Sequence, residues 1–218
     1  GLSASIRYRN RKIIKAVTRG DGLQGEDITK NIFFVDGVET TLPKDFPEEL
    51  EIRGEVFMPK EAFKKLNDSR LKEEKTTFST ARNAASGSLR QLDPIVTKAR
   101  GLKFYGYSII SENKFFGSSL TETRETLEKN GFILNNPSRL CKSLDQMLGF
   151  YNHINDNRQK LSYDIDGIVY KINLYDQQKA FGYTSRFPKW ALAHKFPAEE
   201  ATTEIIDIKF QVGRTGSI

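Results

Sequence analysis

The chain has 218 residues, of which 38% are hydrophobic and 28% charged, and its formal net charge is +6. A single cysteine, Cys141, excludes an internal disulfide and a cysteine-rich zinc site, and two histidines argue against a histidine-based metal centre. The modest basic excess is compatible with a nucleic-acid partner, but a solvated surface explains it equally well. No apolar run approaches the roughly 18 residues of a membrane span, so we expect no membrane association and a reducing, cytoplasmic compartment.

The first part of the chain predicts β-strands with one short helix. Residues Leu50 to Phe57 alternate, with Glu51, Arg53 and Glu55 on the polar side of the predicted strand. Asn10-Arg11 is a plausible hairpin turn between two earlier strands. In chain order, the predicted elements of this part are strands at 3–9 and 12–18, a helix at 25–32 and a strand at 50–57.

Helices dominate the middle of the chain. Pro59 suits the first turn of a helix, and Asn130-Gly131 is a typical helix end. A helix that starts at Ser143 carries a methionine and two aromatic residues on one face, which is typical of core contact. The predicted helices follow residue 59 and occupy 80–92, 120–129 and the segment after 143; the predicted strands occupy 102–110, 165–172, 190–196 and 204–212.

This order of elements predicts the fold class. Strands at both ends with helices between them indicate an α+β fold of antiparallel sheets flanked by helices. The absence of regular β-α-β alternation argues against a Rossmann domain.

Two predicted strands of the last third carry a lysine beside small side chains. Lys195 falls on the same face as two alanines, and Lys171 on the same face as a glycine. Small neighbours leave room for a ligand, although a lysine that reaches from a strand end into water is the simpler interpretation. Together with Glu55 and Arg53, the lysines indicate a pocket for phosphate and ribose, because phosphoryl transfer needs fixed positive charge around the transferred group.

Arg82 and Arg90 lie on the predicted helix at 80–92. Their separation corresponds to roughly 12 Å of rise and roughly 80° of rotation, so both can face one broad surface. The small polar residues between them suit sequence-independent contact with a sugar–phosphate backbone. Two solvated arginines are the alternative interpretation.

Five short segments, spread over almost the whole chain, carry the most specific information. They read Thr-Arg-Gly-Asp-Gly-Leu-Gln-Gly-Glu-Asp-Ile-Thr (18–29), Arg-Gly-Glu-Val-Phe (53–57), Arg-Asn-Ala-Ala-Ser-Gly-Ser-Leu-Arg (82–90), Asp-Gly-Ile-Val-Tyr-Lys (166–171) and Lys-Phe-Pro-Ala-Glu-Glu-Ala (195–201). In order and approximate spacing they resemble the adenylation domain of bacterial NAD-dependent DNA ligases. The resemblance implies a nucleotidyltransferase (ATP-grasp-like ligase adenylation) fold.

The resemblance also implies catalytic roles. Lys195 would contact the α-phosphate, Lys171 would belong to the nucleotide pocket, and Asp166 would help to position a metal or a lysine. Asp166 and Lys171 are five residues apart, so a regular strand would direct them to opposite faces. Asp166 can serve the same site only from the start of the strand or from a bulge.

Further roles concern the cofactor and DNA. By resemblance, Arg19 would contact NAD, Glu55 would bond the ribose, and Tyr107 would stack on adenine, although Tyr107 could also be an ordinary core residue. The DNA-binding residues that the resemblance implies are Arg82, Arg90 and Arg158.

The lysine nucleophile of this family lies in a Lys-x-Asp-Gly motif, and Gly1 resembles the last residue of that motif. The Asp-Gly pairs of the chain are preceded by Arg19, Phe34 and Asp164 at the lysine position. Arginine cannot replace the lysine, because it stays protonated. We therefore expect residues 1–218 to be one adenylation domain without its nucleophile and, alone, inactive in self-adenylation. The N-terminal NMN-binding subdomain, oligonucleotide-binding fold, zinc finger, helix-hairpin-helix and BRCT domains would lie outside this sequence.

The resemblance implies an enzyme that forms lysyl-AMP from NAD with Mg²⁺ or Mn²⁺ and seals nicks during DNA replication and repair. Its expected partners are NAD and nicked duplex DNA, its expected state is a monomer, and any zinc would lie outside this sequence. Two alternatives stay open. One is an ATP-dependent ligase or capping-type nucleotidyltransferase, and the other is a non-catalytic nucleic-acid-binding module.

Overall fold

The computed structural model describes residues 1–20, 24–110, 116–185, 187–198, 202–212 and 216. Within these residues the strands are β1 (Leu2–Arg9), β2 (Lys12–Thr18), β3 (Leu50–Phe57), β4 (Lys103–Ile110), β5 (Gly167–Lys171) and β6 (Ala191–Lys195). The helices are α1 (Thr29–Ile32), α2 (Lys60–Lys72), α3 (Ala81–Leu89), α4 (Pro94–Lys98), α5 (Leu120–Lys129), α6 (Leu144–Asn157) and α7 (Tyr175–Phe181), with a 3₁₀ turn at Arg158–Lys160.

The strands form two separate sheets. The larger sheet has four strands in the order β2-β1-β3-β4, and the smaller pairs β5 with β6. Every pairing between these named strands is antiparallel. The structure therefore confirms the predicted combination of antiparallel sheets with flanking helices.

The hairpin turn between β1 and β2 lies at the predicted position. Asn10 and Arg11 both adopt positive φ angles, of 50° and 61°, which two-residue hairpin turns require. A non-glycine residue in this conformation is strained, and neighbouring contacts hold Arg11 there. Its backbone N–H donates to the carbonyl of Glu48 at 3.1 Å, and its Nε donates to the carbonyl of Phe46 at 3.0 Å.

The main core lies between the four-stranded sheet and the helices α1 and α3. Phe46, which is almost fully buried, stacks on Phe132 with ring centroids 5.7 Å apart and meets Phe116 edge-on at 5.3 Å. Side chains from β1, β3, α1 and α3 complete this core. The largest of them are Ile6, Ile28, Ile32, Ile52 and Leu89.

Capping residues explain why the predicted helix at 80–92 is shorter in the structure. The hydroxyl of Thr80 accepts a hydrogen bond from the backbone of Asn83, so α3 begins after Thr80. The Asp93 side chain caps the next helix, which begins at Pro94 and which the sequence analysis missed. The predicted single helix is therefore replaced by α3, which ends at Leu89, and a separate helix α4.

Two other predictions are wrong in extent or in kind. The helix expected at 25–32 is reduced to α1, because Glu26 and Asp27 pair with β2: the carbonyl of Glu26 accepts from Thr18 at 3.0 Å, and Asp27 forms a bridge with Val17. The strand expected at 204–212 does not form, since no described strand pairs with this segment. A strand needs a neighbour to satisfy its backbone groups, and alternation alone does not supply one.

The apolar face of α6 is only partly a core face. Ile154 is buried, but Met147, Phe150 and Tyr151 are half-buried. Tyr151 instead stacks on His194 of β6, with ring centroids 3.9 Å apart. No helix in the described part of the chain is both long and apolar enough to traverse a lipid bilayer.

Replacing Thr97 with valine tests the polar bond that joins α1 to α4. The Thr97 hydroxyl is fully buried; it donates to the carbonyl of Ser88 at 2.9 Å and accepts from Asn31 Nδ2 at 2.8 Å. Thr97→Val leaves both partners without this bond, and we expect a loss of about 1–3 kcal/mol of unfolding free energy in urea titrations. Thr40→Val, at an exposed position, should change it by less than about 0.5 kcal/mol. Equal effects would contradict this role for Thr97.

Candidate functional site

A cleft of about 410 Å³ opens where β1, β2, β3 and α3 meet. Three arginines and two carboxylates dominate its lining: Arg19, Arg82, Arg90, Glu26 and Glu55. The structure thus brings two predicted cofactor residues together with two predicted DNA-binding residues. Because the cations outnumber the carboxylates, the cleft favours an anionic ligand.

Glu55 lies on the cleft side of β3 and is held by β1. The β1–β3 register sets Ser3 opposite Glu55, and the Ser3 hydroxyl donates to Glu55 Oε2 at 2.9 Å. The amino group of Gly1 lies 3.8 Å from Glu55 Oε1. Arg53, which was expected to join the same pocket, instead pairs with Glu51 at 2.8 Å and does not line the cleft.

Charges from both sheets meet near the Gly1 amino group. Burial lowers the pKa of this amine, the carboxylate of Glu55 raises it, and the guanidinium of Arg82 lowers it. The carboxylate of Asp166, just before β5, also raises this pKa. The carboxylate of Asp166 is itself not among the described residues that line the cleft.

The arginines of the cleft differ in their partners. Arg90 Nη1 lies 3.3 Å from Glu26 Oε1 and 3.4 Å from Glu26 Oε2. Thr18 holds Glu26 in place, because its backbone N–H donates to the Glu26 carbonyl and its hydroxyl accepts from the Glu26 N–H, both at 3.0 Å. Arg82 is exposed, and its guanidinium group has no hydrogen bond or ion pair within the described part of the chain. A phosphate can bind Arg82 directly, whereas Arg90 has to exchange Glu26 for it.

Lys171 and Lys195 share one face of the smaller sheet but do not meet. The register sets Lys171 opposite Ala191 and Lys195 opposite Gly167. The lysines are therefore separated by about four residues of strand, or roughly 13 Å. Neither is among the described residues that line the cleft. The expected convergence of both ammonium groups on one cavity is thus not present in this structure.

Asp166 immediately precedes β5, which removes the difficulty of its spacing from Lys171. Its carbonyl accepts from the backbone of Phe196 at 2.8 Å. Its carboxylate lies 3.4 Å from Lys195 Nζ, and both side chains are largely exposed. Exposed ion pairs contribute little to stability, so a ligand can exchange with either partner.

Tyr107 lies at an irregularity between β3 and β4. Arg53 pairs with Ser108 and Gly54 with Gly106, so Tyr107 has no partner on β3. Such bulges redirect side chains, and the half-buried Tyr107 ring carries the Lys171 ammonium 5.0 Å from its centroid. The Lys171 ammonium group therefore lies over one face of the Tyr107 ring.

Lys171 is the most enclosed of the predicted site lysines. Burial lowers the pKa of its ammonium group, and the positive charge of Arg124 lowers it further. Arg124 itself binds neutral groups, donating to Asn135 Oδ1 at 2.7 Å and to the Asn135 carbonyl at 3.1 Å. An anion beside Lys171 would relieve the repulsion between these two cations.

Arg158, the third predicted DNA-binding arginine, lies apart from the other two. Its guanidinium carbon is 5.4 Å from the ring centroid of Phe196, and it does not line the cleft. Within the described residues no group of three histidine, cysteine or acidic side chains could hold a metal ion.

Comparison with known proteins assigns the family. The model of the NAD-dependent DNA ligase adenylation domain matches residues 1–199. This chain belongs to that family. DNA ligases from Bartonella tribocorum and Saccharophagus degradans are each 44% identical to it, and the matches cover 100% of this chain but 30% and 33% of those proteins. The DNA ligase of Hyphomonas neptunium is 43% identical over 219 residues, covering 31% of its length. The chain thus spans about a third of the curated relatives that it matches.

The sequence analysis of this adenylation domain missed Glu26 and Ser3, which interact with the predicted residues of the cleft. Glu26 lies inside the quoted segment 18–29, where a carboxylate among glycines was the available signal. Ser3 carries no local signal, because its role depends on the β1–β3 register. Residues 21–23 of the segment 18–29 lie outside the described residues.

Replacing Gly167 with alanine tests how closely β5 and β6 approach each other. An added Cβ would lie 2.4 Å from the His194 carbonyl oxygen and 2.7 Å from Lys195 Cα. We expect Gly167→Ala to separate β5 from β6 and to lower the unfolding free energy by about 1–3 kcal/mol. Gly149→Ala is the matched control: its Cβ would contact nothing within 4 Å, and alanine favours a helix interior by about 0.5–1 kcal/mol. Urea titrations giving both variants the same sign would contradict this interpretation.

Proposed function

We propose that this chain is the nucleotide-binding and DNA-binding core of an NAD-dependent DNA ligase with a nucleotidyltransferase fold. The longer enzyme forms lysyl-AMP from NAD and then joins the 5′-phosphate and 3′-hydroxyl of a nick in duplex DNA. The observation that carries the proposal is the cleft in which Arg19 and Glu55 lie beside Arg82 and Arg90. A family match over residues 1–199 supports it.

The nucleotide lies, in this proposal, between the larger sheet and β5. Glu55 accepts hydrogen bonds from the ribose hydroxyls, and Arg19 binds a phosphate of NAD. The adenine stacks on the face of Tyr107 opposite the Lys171 ammonium group. This arrangement uses the negative charge of Glu55 for neutral hydroxyl donors and the cations for phosphate oxygens.

In this proposal, the Lys195 ammonium group breaks its ion pair with Asp166 and contacts the α-phosphate. The present Lys195–Asp166 pair is exposed, so replacing the carboxylate by a phosphate costs little. A fixed ammonium group stabilises the charge that gathers on the phosphoryl oxygens during transfer. Lys171, beside Arg124, provides a second cation for the nucleotide.

Mg²⁺ fits the donors near this cleft. Nucleotide-bound Mg²⁺ usually takes one or two protein carboxylates, with phosphate oxygens and waters as the other ligands. The exposed carboxylate of Asp166 meets that requirement. The metal would neutralise phosphate charge.

The nucleophile of the first step lies outside this sequence in our proposal. A lysine amine attacks the α-phosphorus of NAD, a P–N bond forms, the P–O bond to nicotinamide mononucleotide breaks, and the amine loses a proton. The 218 residues contain no Lys-x-Asp-Gly motif. The reaction therefore requires a longer chain, which we expect to act as a monomer in the cytoplasm.

DNA binding uses the guanidinium groups of α3. Arg82 and Arg90 face the cleft and bind backbone phosphates near the nick, while Arg158 binds a phosphate further along the duplex. Such contacts need no base recognition, which suits an enzyme that seals nicks in any sequence.

Binding of labelled NAD tests the nucleotide site. We expect the 218 residues to bind NAD reversibly, in competition with AMP, and to retain no covalent AMP after denaturation. Lys195→Ala should weaken NAD binding about tenfold, the effect of losing one charge-assisted contact. Lys129→Ala, at an exposed position of α5, should leave NAD binding unchanged. Covalent labelling would contradict the missing nucleophile, and tighter binding of ATP than of NAD would favour the ATP-dependent alternative.

The salt dependence of DNA binding tests the arginines. Loss of one phosphate contact reduces the slope of log affinity against log salt by about 0.9 for duplex DNA. We expect that reduction for Arg82→Ala on nicked duplex DNA, and no change for Arg139→Ala, an exposed arginine outside the cleft. An unchanged slope in Arg82→Ala would contradict the proposed contact between α3 and the DNA backbone. DNA binding without any NAD binding would favour a non-catalytic nucleic-acid-binding module.

A further inference from the structure

The smaller sheet carries predicted site residues but has little packing of its own. None of the ten residues in β5 and β6 is buried. An isolated two-stranded sheet is marginally stable in water. Its position relative to Glu55 and the cleft therefore depends on its contacts with neighbouring segments.

One such contact joins Lys60, the first residue of α2, to the segment that leads into β5. We call residues 159–164 the latch segment. The backbone N–H of Lys60 donates to the Ser162 carbonyl at 2.8 Å. The first N–H groups of a helix have no partner within the helix, so the latch segment caps α2. Lys60 Nζ also donates to the Gln159 carbonyl at 3.0 Å and lies 3.6 Å from Asp164 Oδ1.

The second contact is the ring of Tyr163. It lies 4.9 Å from the ring of Phe57 and 6.1 Å from that of Tyr105, centroid to centroid. Its hydroxyl donates to the Asn136 carbonyl at 2.7 Å, and burial raises its pKa. Tyr105 pairs directly with Glu55, and Phe57 follows Glu55 by two residues on β3. The latch segment is therefore anchored on the immediate neighbours of Glu55.

We infer that Tyr163 and Lys60 are positioning residues, which hold the start of β5, and with it Asp166, against the strand that carries Glu55. Only Ile165 lies between Asp166 and Asp164, the last residue of the latch segment, so a shift of this segment moves the Asp166 carboxylate and the Lys195 that it contacts. Phosphoryl transfer depends on placement, and a displacement of about 1 Å can cost about a hundredfold in rate. The catalytic consequence rests on the proposed function, but the structural role of the latch does not.

The other end of β5 has its own anchor. The carbonyl of Asn173 accepts from the backbone of Leu120 at 2.9 Å, and Asn173 Oδ1 accepts from the backbone of Thr121 at 3.0 Å. Loss of the latch should therefore loosen the start of β5 while the strand stays attached to α5. This separation allows the latch to be tested in a folded protein.

Spin-label distances test the latch directly. In a Cys141→Ser background, labels at Lys30→Cys on α1 and Leu192→Cys on β6, both exposed positions, span the two sheets. We expect Tyr163→Ala to broaden or shift this distance distribution. Tyr163→Phe, which keeps the ring and loses only the hydroxyl bond, should retain most of the original distribution. Labels at Lys30→Cys and Lys72→Cys, both on the larger-sheet side, should give one distribution in all variants.

Lys60→Met provides a second variant if Tyr163→Ala does not fold. It keeps the backbone bond to Ser162 and the apolar stem, and it removes both contacts of Nζ. We expect a smaller broadening of the Lys30–Leu192 distance, with a thermal unfolding midpoint close to that of the unsubstituted chain. An unchanged distance in every folded variant would overturn the latch.

NAD affinity separates the latch from the proposed function. We expect Tyr163→Ala to weaken NAD binding about tenfold and Tyr163→Phe to restore it to within about threefold, because the affinity follows the placement of the site. Broadened distances in a chain that fails to bind NAD even without substitution would support the latch and overturn the proposed function. NAD binding by the unsubstituted chain, together with unchanged spin-label distances in the Tyr163 and Lys60 variants, would support the proposed function and overturn the latch.

Discussion

The antiparallel pairing of β1 with β3 is the constraint on which the cleft depends. This register brings Ser3 opposite Glu55 and fixes the carboxylate by a hydrogen bond from the serine hydroxyl. On its other side β1 pairs with β2, which brings Arg19 to the same part of the sheet, where its backbone N–H donates to the Ser3 carbonyl at 3.0 Å. The arginines of α3 line the same cleft. Without the β1–β3 pairing, residues separated by some 50 positions in sequence would have no reason to share one cavity.

The charged groups of the site are held by partners that a ligand can replace. Arg90 contacts Glu26, and Lys195 contacts Asp166, but both pairs are substantially exposed to solvent. Exposed ion pairs contribute about 0–1 kcal/mol to stability. They orient the cations before a ligand arrives and release them at little cost when phosphate oxygens are present. Lys171 differs, because it is enclosed between Tyr107 and the positive charge of Arg124.

Local signals explain which parts of the fold could be predicted. Helix α5 has the predicted bounds because Ser119 caps its start and Gly131 follows its end with a positive φ of 81°, and both are residue preferences of the backbone itself. The segment 204–212 has an equally clear alternating pattern but forms no strand, since pairing requires a neighbour that no described residue supplies. Helix α4 was missed because five residues are too few for a periodic pattern.

The sequence by itself determined the family, the α+β class and four of the charged residues around the cleft, Arg19, Glu55, Arg82 and Arg90, because ordered motifs and residue chemistry can be recognised without coordinates. Only the tertiary structure decided which of those residues meet. In the structure, Lys171 and Lys195 lie at opposite ends of one face of the smaller sheet, and Arg90 pairs with Glu26. The irregularity between β3 and β4 lets the Tyr107 ring contact Lys171. These relations depend on strand register and on contacts between distant segments, and no pattern within a single segment encodes either.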